Sequence, residues 1–241
     1  MKVALVCIAK WENTIEEWVK YHTKLGFDSI FIYQNDWGCG VVADNVVVVD
    51  FPGKHQQMPA YNHFLSNFRN EFDWAAFIDV DEYIVLKKHK TIKEFITDFN
   101  NPYGIGINWV YFGSDNQEKI IGDEKSFLSR FLKRGDMNMH VKSILNMRAN
   151  SQMILPHNPN TPLLGTNRKF FDGPYFHDGD ISVAQINHYY HKSLEEWSKL
   201  YDRGQSDYTD PKKREDWFKL TPHNHLEDKF AYNFYYDNNR L

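Results

Sequence analysis

The sequence predicts an α/β fold in which a mostly parallel central sheet is flanked by helices. Strand and helix signals alternate through the first hundred of the 241 residues, as in a parallel sheet with helical crossovers. Val3–Ala9 is a continuous apolar run, which is typical of a strand covered on both faces. Because no repeat, low-complexity segment or Gly/Ser-rich linker interrupts the chain, we expect a single domain over residues 1–241.

Local signals support each further element of the first half. Asn13–Glu17 has a capping-box pattern, which predicts the start of a helix whose apolar stripe runs to Leu25. Gly26 supplies the C-terminal stop of that helix. The same reasoning predicts strands at Ser29–Tyr33, Val46–Phe51, Trp74–Ile78 and Gly104–Phe112, and helices from Pro59 to about Phe68 and from Thr91 to Phe99.

The regular alternation ends near residue 113. Residues 113–180 are rich in Asn, Gly, Pro and Asp, which predicts long loops and short strands around a site. A strand is predicted at Ile181–Tyr190, followed by a helix from Ser193 to about Arg203. The tail from Pro211 is polar and aromatic, and we expect it to wrap back over the domain.

Composition excludes several classes of protein. A formal net charge of −4 lacks the basic surface of a general nucleic-acid binder, so we expect no nucleic-acid partner. Two cysteines, Cys7 and Cys39, are too few for a disulfide framework, and no apolar stretch approaches the length of a membrane span. We therefore expect a cytoplasmic protein without a transmembrane segment, either free or associated peripherally with the inner face of the membrane.

The strongest local signal is Phe77–Tyr83, where three carboxylates follow a buried strand. Residues two apart in an extended chain point the same way, so Asp79 and Asp81 are expected to converge at the carboxyl end of the strand. Adjacent carboxylates repel each other unless a cation lies between them, and oxygen ligands suit Mg²⁺ or Mn²⁺. The D-x-D motif of Asp79 and Asp81 is short, so it also fits a solvated acidic turn that follows the strand.

Polar residues also follow other predicted strands, and such positions gather at one edge of a parallel sheet. The segments concerned are AKWENTIEEWVKYHTKLGFDSIFIYQND, QQMPAYNHFL, WAAFIDVDEYI, INWVYFGS, HVKSIL and INHYYHKSLEEWSKLYDRG. In order and spacing, from about Lys2 to Gly204, they resemble GT-A glycosyltransferases, in particular the family-2-like and family-92-like transferases of the former domain of unknown function 23.

The resemblance implies a Rossmann-like GT-A domain that acts as a hexosyltransferase. Such an enzyme moves a sugar from a UDP-sugar to a hydroxyl of a glycan or lipid-linked acceptor, with inversion, in cell-surface polysaccharide synthesis. About residues 1–112 would form the half that binds the nucleotide-sugar, residues 113–204 the acceptor side, and residues 205–241 a C-terminal tail.

The resemblance also implies roles for individual residues. A Mn²⁺ or Mg²⁺ ion would be ligated by Asp81 directly, by His188, and by Asp79, which would also approach the ribose. The residues implied to bind the nucleotide-sugar are Ala9, Lys10, Asn35, Asp36, Gln57, Asn62, Asp79, Lys142 and Lys192.

Several of these residues have a simpler structural explanation. Lys10 and Lys142 also fit solvated lysines of strands, and Asn62 fits a helix-face amide that makes local bonds. Only one face of the strand at Ile181–Tyr190 can present a histidine to the site, and His157 is the alternative metal ligand to His188. Rings such as Trp109 and Tyr111 fit either a core strand or a sugar-stacking surface.

An inverting transfer needs a carboxylate within hydrogen-bond reach of the acceptor hydroxyl. Asp115 is the first candidate for this base, because it follows the aromatic strand that ends at Phe112. Asp178 and Asp180 are the runners-up. Each of these aspartates also fits the plainer role of a turn former.

Other functions fit parts of the pattern. A sugar-nucleotide nucleotidyltransferase has a similar core, but it needs a Gly-rich phosphate loop where this chain has Ala9–Glu12. A non-catalytic carbohydrate-binding protein has no need of the Asp79–Asp81 motif together with His188 and Lys192. A zinc hydrolase is disfavoured because the sequence has no H-E-x-x-H motif.

Overall fold

One large sheet organises the chain in the computed structural model, which describes residues 1–36, 38–100, 102–203, 214–219 and 221–237. Within these residues the strands are β1 (Val3–Ala9), β2 (Ser29–Gln34), β3 (Val46–Asp50), β4 (Trp74–Phe77), β5 (Glu82–Leu86), β6 (Gly104–Phe112), β7 (Lys133–Asn146), β8 (Leu163–Gly165), β9 (Phe170–Phe171), β10 (Ala184–His188) and β11 (Leu226–Glu227). The helices are α1 (Ile15–Leu25), α2 (Gln57–Phe68), α3 (Ile92–Phe99), α4 (Leu194–Arg203), α5 (Arg214–Phe218) and α6 (Phe230–Tyr236). The main path of the sheet has the order β3-β2-β1-β4-β7-β6-β10-β5.

The sheet is mixed, so the prediction of mostly parallel strands was wrong. The strands β3, β2, β1 and β4 are parallel, but β7 runs antiparallel to both β4 and β6, and β5 runs antiparallel to β10. The physical reason lies in the connections, because a parallel neighbour needs a crossover of a dozen or more residues. Only four residues connect β4 to β5, so β5 starts at the edge where β4 ends and runs back.

Neither β5 nor β7 was predicted from the sequence pattern, and β7 is the longer of the two. Its 14 residues fall within the segment that was predicted to form loops and short strands. Residues 133–140 of this strand are mostly polar and partly exposed, whereas Val141–Leu145 is buried between β4 and β6. A strand that is covered over only part of its length gives no continuous hydrophobic signal.

The remaining predicted elements agree with the structure to within three residues at their ends. The Thr91 hydroxyl caps α3 by accepting a hydrogen bond from the Glu94 amide at 3.2 Å, and Gly26 ends α1 with φ +101°. The capping box predicted at Asn13–Glu17 was wrong, because no residue that the structure describes forms a hydrogen bond with the Thr14 hydroxyl. Glu17 is instead buried and accepts bonds from the Ser126 hydroxyl and the Phe127 amide.

The described part of the C-terminal tail folds back over the domain, as predicted. Residues of β11 pair with the start of β7, and α6 packs against β5. Lys24 of α1 donates to the carbonyl oxygen of Asp237 at 2.9 Å, which ties the end of α6 to the first helix. The rest of the predicted tail over 205–241 lies outside the described residues. No described helix is both long and apolar enough to cross a membrane.

A buried histidine makes the core sensitive to acid. His22 of α1 donates from Nδ1 to the Trp18 carbonyl oxygen at 2.9 Å, and burial lowers its pKa to about 3. In the unfolded chain the same imidazole is protonated near pH 6.5. The contribution of the neutral His22 to stability is therefore fully present above that pH and is lost as the pH falls toward 3. The same holds for His157 and His191, whose pKa values burial lowers to about 3 and about 4.

We predict that His22 alone lowers the free energy of unfolding by about 2 kcal/mol between pH 7.5 and pH 5.0. Urea titrations at the two pH values measure this difference directly. His22→Gln should flatten the pH dependence by that amount, whatever its own stability at pH 7.5. The exposed His177→Gln is the matched control and should keep the wild-type dependence; an unchanged slope in His22→Gln would contradict the assignment.

Candidate active site

The candidate site lies at the edge of the sheet where β4, β6 and β10 end and β5 begins. His188 at the end of β10 is in register with Tyr111 of β6 on one side and with Glu82 of β5 on the other. Asp79 and Asp81 lie in the connection that follows β4 at the same edge. The carboxyl ends of strands are where open α/β sheets bind ligands, so the topology brings these predicted residues to one place.

The Asp79–Asp81 segment is a tight turn and not an extended strand end. The Glu82 amide donates to the Asp79 carbonyl oxygen at 3.0 Å, and the Asp79 amide donates to the Glu82 carboxylate at 2.8 Å. The argument from alternation along an extended chain was therefore wrong. The two carboxylates have different partners, since Asp79 pairs with Lys142 and Asp81 pairs with Lys192.

Lys142 is buried between two carboxylates. Its Nζ lies 2.7 Å from Asp79 Oδ2 and 3.5 Å from Glu82 Oε2, and the side chain is 1 % exposed. Burial lowers the pKa of this ammonium, but Asp79 and Glu82 outweigh that effect and raise it above the usual value. Burial raises the pKa of Glu82. The alternative of a solvated strand lysine is thereby excluded for Lys142.

The Asp79 carboxylate has a second fixed partner. Gln57, the first residue of α2, donates from Nε2 to Asp79 Oδ1 at 2.5 Å. Both oxygens of Asp79 are thus engaged, one by an amide and one by the Lys142 ammonium. Gln57 and Lys142, predicted from two distant segments, meet at the same carboxylate.

Asp81 lies between a lysine and a histidine. Lys192 Nζ is 3.1 Å from Asp81 Oδ2, and His188 Nε2 is 3.6 Å from Asp81 Oδ1. The Asp81 carboxylate is 20 % exposed, so it is open to a ligand from one side. His157, the alternative metal ligand, instead packs edge-on against the Trp109 ring and donates a hydrogen bond from Nδ1 to the Val141 carbonyl oxygen.

The ligand atoms of Asp81 and His188 fit a small divalent cation that takes most of its ligands from phosphate and water. No cluster of three or more His, Cys, Asp or Glu side chains that could hold a metal is found in the described ranges. Asp81 and His188 face each other and offer one oxygen and one nitrogen. One or two protein ligands completed by phosphate oxygens and water are typical of Mg²⁺ at nucleotide sites. Asp79 does not complete the set, because its oxygens are engaged.

The residues predicted around the nucleoside occupy two different settings. Lys10 and Asp36 form an ion pair of 3.7 Å beyond the ends of β1 and β2. The Ala9 carbonyl oxygen accepts the Asn35 amide, and the buried Asn35 side chain binds the carbonyl oxygen of Gly53. Asn35 thus secures the loop after β3 rather than presenting its amide to a ligand.

Asn62 also has a structural role. Its side chain accepts a hydrogen bond from the Met153 amide at 3.0 Å and donates to the Met153 carbonyl oxygen at 2.9 Å. This reciprocal pair fixes a loop to α2. The local-bond alternative describes Asn62, and its predicted contact with ribose or diphosphate has no support in this geometry.

A cavity of about 470 Å³ is lined in part by Lys192, the partner of Asp81. It lies between the loop after β1 and the start of α4, and its walls include Lys10, Glu12, Phe127, Lys192 and Glu196. Lys192 connects the cavity to Asp81, and its ammonium also lies 5.0 Å from the centre of the Phe127 ring. Volumes of this size suit small-molecule ligands.

The three candidate bases lie at opposite edges of the sheet. Asp115 follows β6 at the edge of the site, where it pairs with Lys133 at 2.6 Å. Asp180 precedes β10. Val183, which lies between Asp180 and β10, accepts a hydrogen bond through its carbonyl oxygen from the amide of Lys87, just beyond the C-terminal end of β5. The length of β5 puts that end about 15 Å from Glu82. Asp178, exposed beside Lys169, lies in the same loop as Asp180.

Two acidic residues of the site escaped prediction. Glu82 was noted as the third carboxylate of its motif but was given no role, although it is fully buried behind Asp79. Glu196 lies in the first turn of α4, where its carboxylate accepts a hydrogen bond from the Ser193 amide at 3.0 Å. It also forms an ion pair of 2.6 Å with the buried Arg130, which anchors residues 113–131 beside the cavity. Residue spacing carries no signal for such a distant partner.

The chain is thus an α/β protein that has a polar site at the ends of its strands. In this site, carboxylates pair with buried ammonium groups. The chain belongs to glycosyltransferase family 92, whose sequence profile matches residues 53–222, or 170 of the 241 residues. The resemblance drawn from the sequence is thus confirmed at the level of the family. The matched segment includes Asp79, Asp81, Lys142, His188 and Lys192.

Plant proteins described as members of the same family are similar to the chain over shorter stretches. A family 92 protein of Ricinus communis is 32 % identical over 95 residues, which are 35 % of this chain and 16 % of that protein. One of Arabidopsis thaliana is 28 % identical over 97 residues, covering 36 % and 17 %. A longer alignment with a Ricinus communis family 92 protein is 22 % identical over 204 residues, covering 78 % and 35 %. The chain thus spans about a third or less of these relatives' length.

Proposed function

We propose that this chain is a glycosyltransferase of the GT-A type that takes a hexose from a UDP-sugar and transfers it to a hydroxyl of a glycan or lipid-linked acceptor. The observation that carries the proposal is the pairing of Asp79 with Lys142 and of Asp81 with Lys192, the last of which lines the cavity. Membership of family 92 and the parallel half β3-β2-β1-β4, followed by the antiparallel β7, support it. Cytoplasmic location and a role in cell-surface polysaccharide synthesis stay predictions.

The site supplies positive charge where a diphosphate would leave. Lys192 lines the cavity and is held there by Asp81, so its ammonium does not have to be repositioned during the reaction, whereas Asp79 and Glu82 balance the charge of the buried Lys142. Preorganised charge of this kind stabilises a developing anion without reorganisation. Asp81 and His188 would hold Mn²⁺ or Mg²⁺, and what that ion supplies is neutralisation of the diphosphate.

The acceptor hydroxyl must lose a proton as it attacks, and Asp115 is the carboxylate that we propose for this step. Of the three candidates it alone lies at the edge of the sheet where Asp81 lies. It lies on an exposed loop, where it forms an ion pair with Lys133. In-line attack on the face opposite the leaving diphosphate inverts the anomeric centre, as the family resemblance implies.

Two other functions would give different products. A nucleotidyltransferase would release pyrophosphate from UTP and a sugar phosphate, and it would need a phosphate loop at Ala9–Glu12, where Trp11 and Glu12 instead line the cavity. A carbohydrate-binding protein would bind sugar without turnover. Neither function accounts for two lysines paired to the carboxylates of one turn.

The test is a panel of UDP-hexoses, each incubated with Mn²⁺ or with EDTA, and scored by release of UDP. Slow release into water identifies the donor even without an acceptor. We expect one UDP-sugar to be hydrolysed in Mn²⁺ and none in EDTA. Mn²⁺-dependent binding of UDP without release from any UDP-sugar would instead indicate a binding protein.

A further inference from the structure

A row of four rings leads from the surface to Asp81. Its members are Tyr175, His140, Trp109 and His188, and we call them the ring row. The ring centres are 4.8 Å apart between Tyr175 and His140, 4.9 Å between His140 and Trp109, and 4.5 Å between Trp109 and His188. Because His188 Nε2 faces Asp81 at 3.6 Å, the row ends at the candidate site.

The sheet fixes the row, because His140, Trp109 and His188 lie on the neighbouring strands β7, β6 and β10 and Tyr175 is bridged to β7. Tyr175 forms a bridge with His140 of β7, and Trp109 of β6 has Ile186 as its partner on β10, two residues before His188. The imidazole of His140 lies nearly parallel to the indole of Trp109, with an angle of 20° between the planes. Side chains that share one face of a sheet are held by their strands.

The row changes from exposed to buried along its length. Tyr175 is 49 % exposed, whereas Trp109 is 6 % exposed. The indole Nε1 of Trp109 is buried and has no hydrogen-bond partner within the described part of the chain. A buried donor without an acceptor costs free energy, and an oxygen of a ligand would recover it.

The imidazoles of His140, in the row, and of His157, beside it, have lowered pKa values. Burial, reinforced by the Lys142 ammonium, lowers the pKa of His140 and of His157, which packs edge-on against Trp109. Lys142 itself lies 5.8 Å from the Trp109 ring, but Asp79 and Glu82 balance its charge. Aromatic rings and neutral nitrogen atoms suit a ligand that has hydroxyl groups and C–H faces together.

We propose that the ring row is the binding site for the acceptor sugar, and that it takes an uncharged pyranose. This inference rests on the proposed function and names the side of Asp81 on which the acceptor lies. Lys192, which approaches Asp81 Oδ2, also lines the cavity, whereas His188, which approaches Asp81 Oδ1, ends the row. The cavity therefore receives the nucleotide-sugar, and the ring row receives the acceptor.

The test is saturation-transfer NMR on the full chain with UDP and Mn²⁺ present. The probes are neutral methyl hexopyranosides, with methyl glucuronide as the acidic comparison. At least one neutral glycoside should bind, and Tyr175→Ala and Trp109→Phe should each weaken that binding roughly tenfold, because a ring contact or the indole N–H is lost. Tyr103→Ala removes a similarly exposed ring elsewhere and is the matched control.

The affinity for UDP, measured by calorimetry, should stay within about twofold in all three variants. Unchanged glycoside binding in Tyr175→Ala would overturn the proposal, even if Trp109→Phe were misfolded. So would a parallel loss of UDP affinity, or a wild-type chain that binds no neutral glycoside. Glycoside binding that depends on the row, in a chain that hydrolyses no UDP-sugar, would support the acceptor site and refute the proposed transfer.

Discussion

Replacing Asp81 by asparagine is expected to lower sugar transfer by about 10²–10³-fold and to abolish the effect of Mn²⁺ on UDP binding. The change removes the one carboxylate that faces both His188 and Lys192 and is open to a ligand. Asparagine has nearly the same shape, so the turn held by the Glu82 amide should persist. Initial rates of UDP release and titration of UDP with and without Mn²⁺ measure the two effects.

The matched control is Asp178→Asn, an exposed carboxylate on the far loop that pairs with Lys169. It should keep wild-type rates and Mn²⁺ dependence. Circular dichroism and thermal unfolding establish that Asp81→Asn is folded. If that variant keeps Mn²⁺-dependent turnover, neither cation binding by Asp81 nor its ion pair with Lys192 contributes to sugar transfer, and the proposed site is wrong.

The fold was predictable where local chemistry and burial agree. β1 is apolar throughout because both faces of the sheet are covered there, and α3 has a cap and one apolar stripe. β7 was not predictable, because residues 133–140 lack the cover that Val141–Leu145 receives from β4 and β6. The direction of a strand depends on the length of the connection before it, and the four-residue turn after β4 was hidden by the assumption of an extended chain.

The candidate site was predictable in composition more than in geometry. Sequence reasoning named Asp79, Asp81, Lys142, His188 and Lys192, and these side chains do meet. Sequence reasoning could not predict which side chains form ion pairs with each other, because Lys142 lies 63 residues from its partner Asp79. Asn35 and Asn62 show the converse, because a polar residue near the edge of the site can be consumed by the backbone of a nearby loop.

The second large effect is expected for Asp115→Asn, which should lower transfer to an acceptor by about 10²–10⁴-fold, the usual contribution of a general base. Binding of the UDP-sugar should not change, because the donor cavity is lined by other residues. Its slow hydrolysis by water should fall less than transfer does. Measured transfer rates and UDP-sugar affinity separate these outcomes.

The backbone of this loop makes Asp115→Asn an informative change. Asp115 has φ +49° and Asn116 has φ +60°, a left-handed pair that asparagine adopts more readily than most residues. The Asp115 amide still donates to the Asn224 side chain at 2.9 Å, so the loop keeps its anchor. Only the charge and the pairing with Lys133 are lost, and an exposed pair of this kind contributes about 0–1 kcal/mol to stability. Asp180→Asn, at the opposite edge of the sheet, is the control and should transfer at the wild-type rate. Near-normal transfer by Asp115→Asn, with a fall in Asp180→Asn, would mean that the acceptor approaches from the other edge.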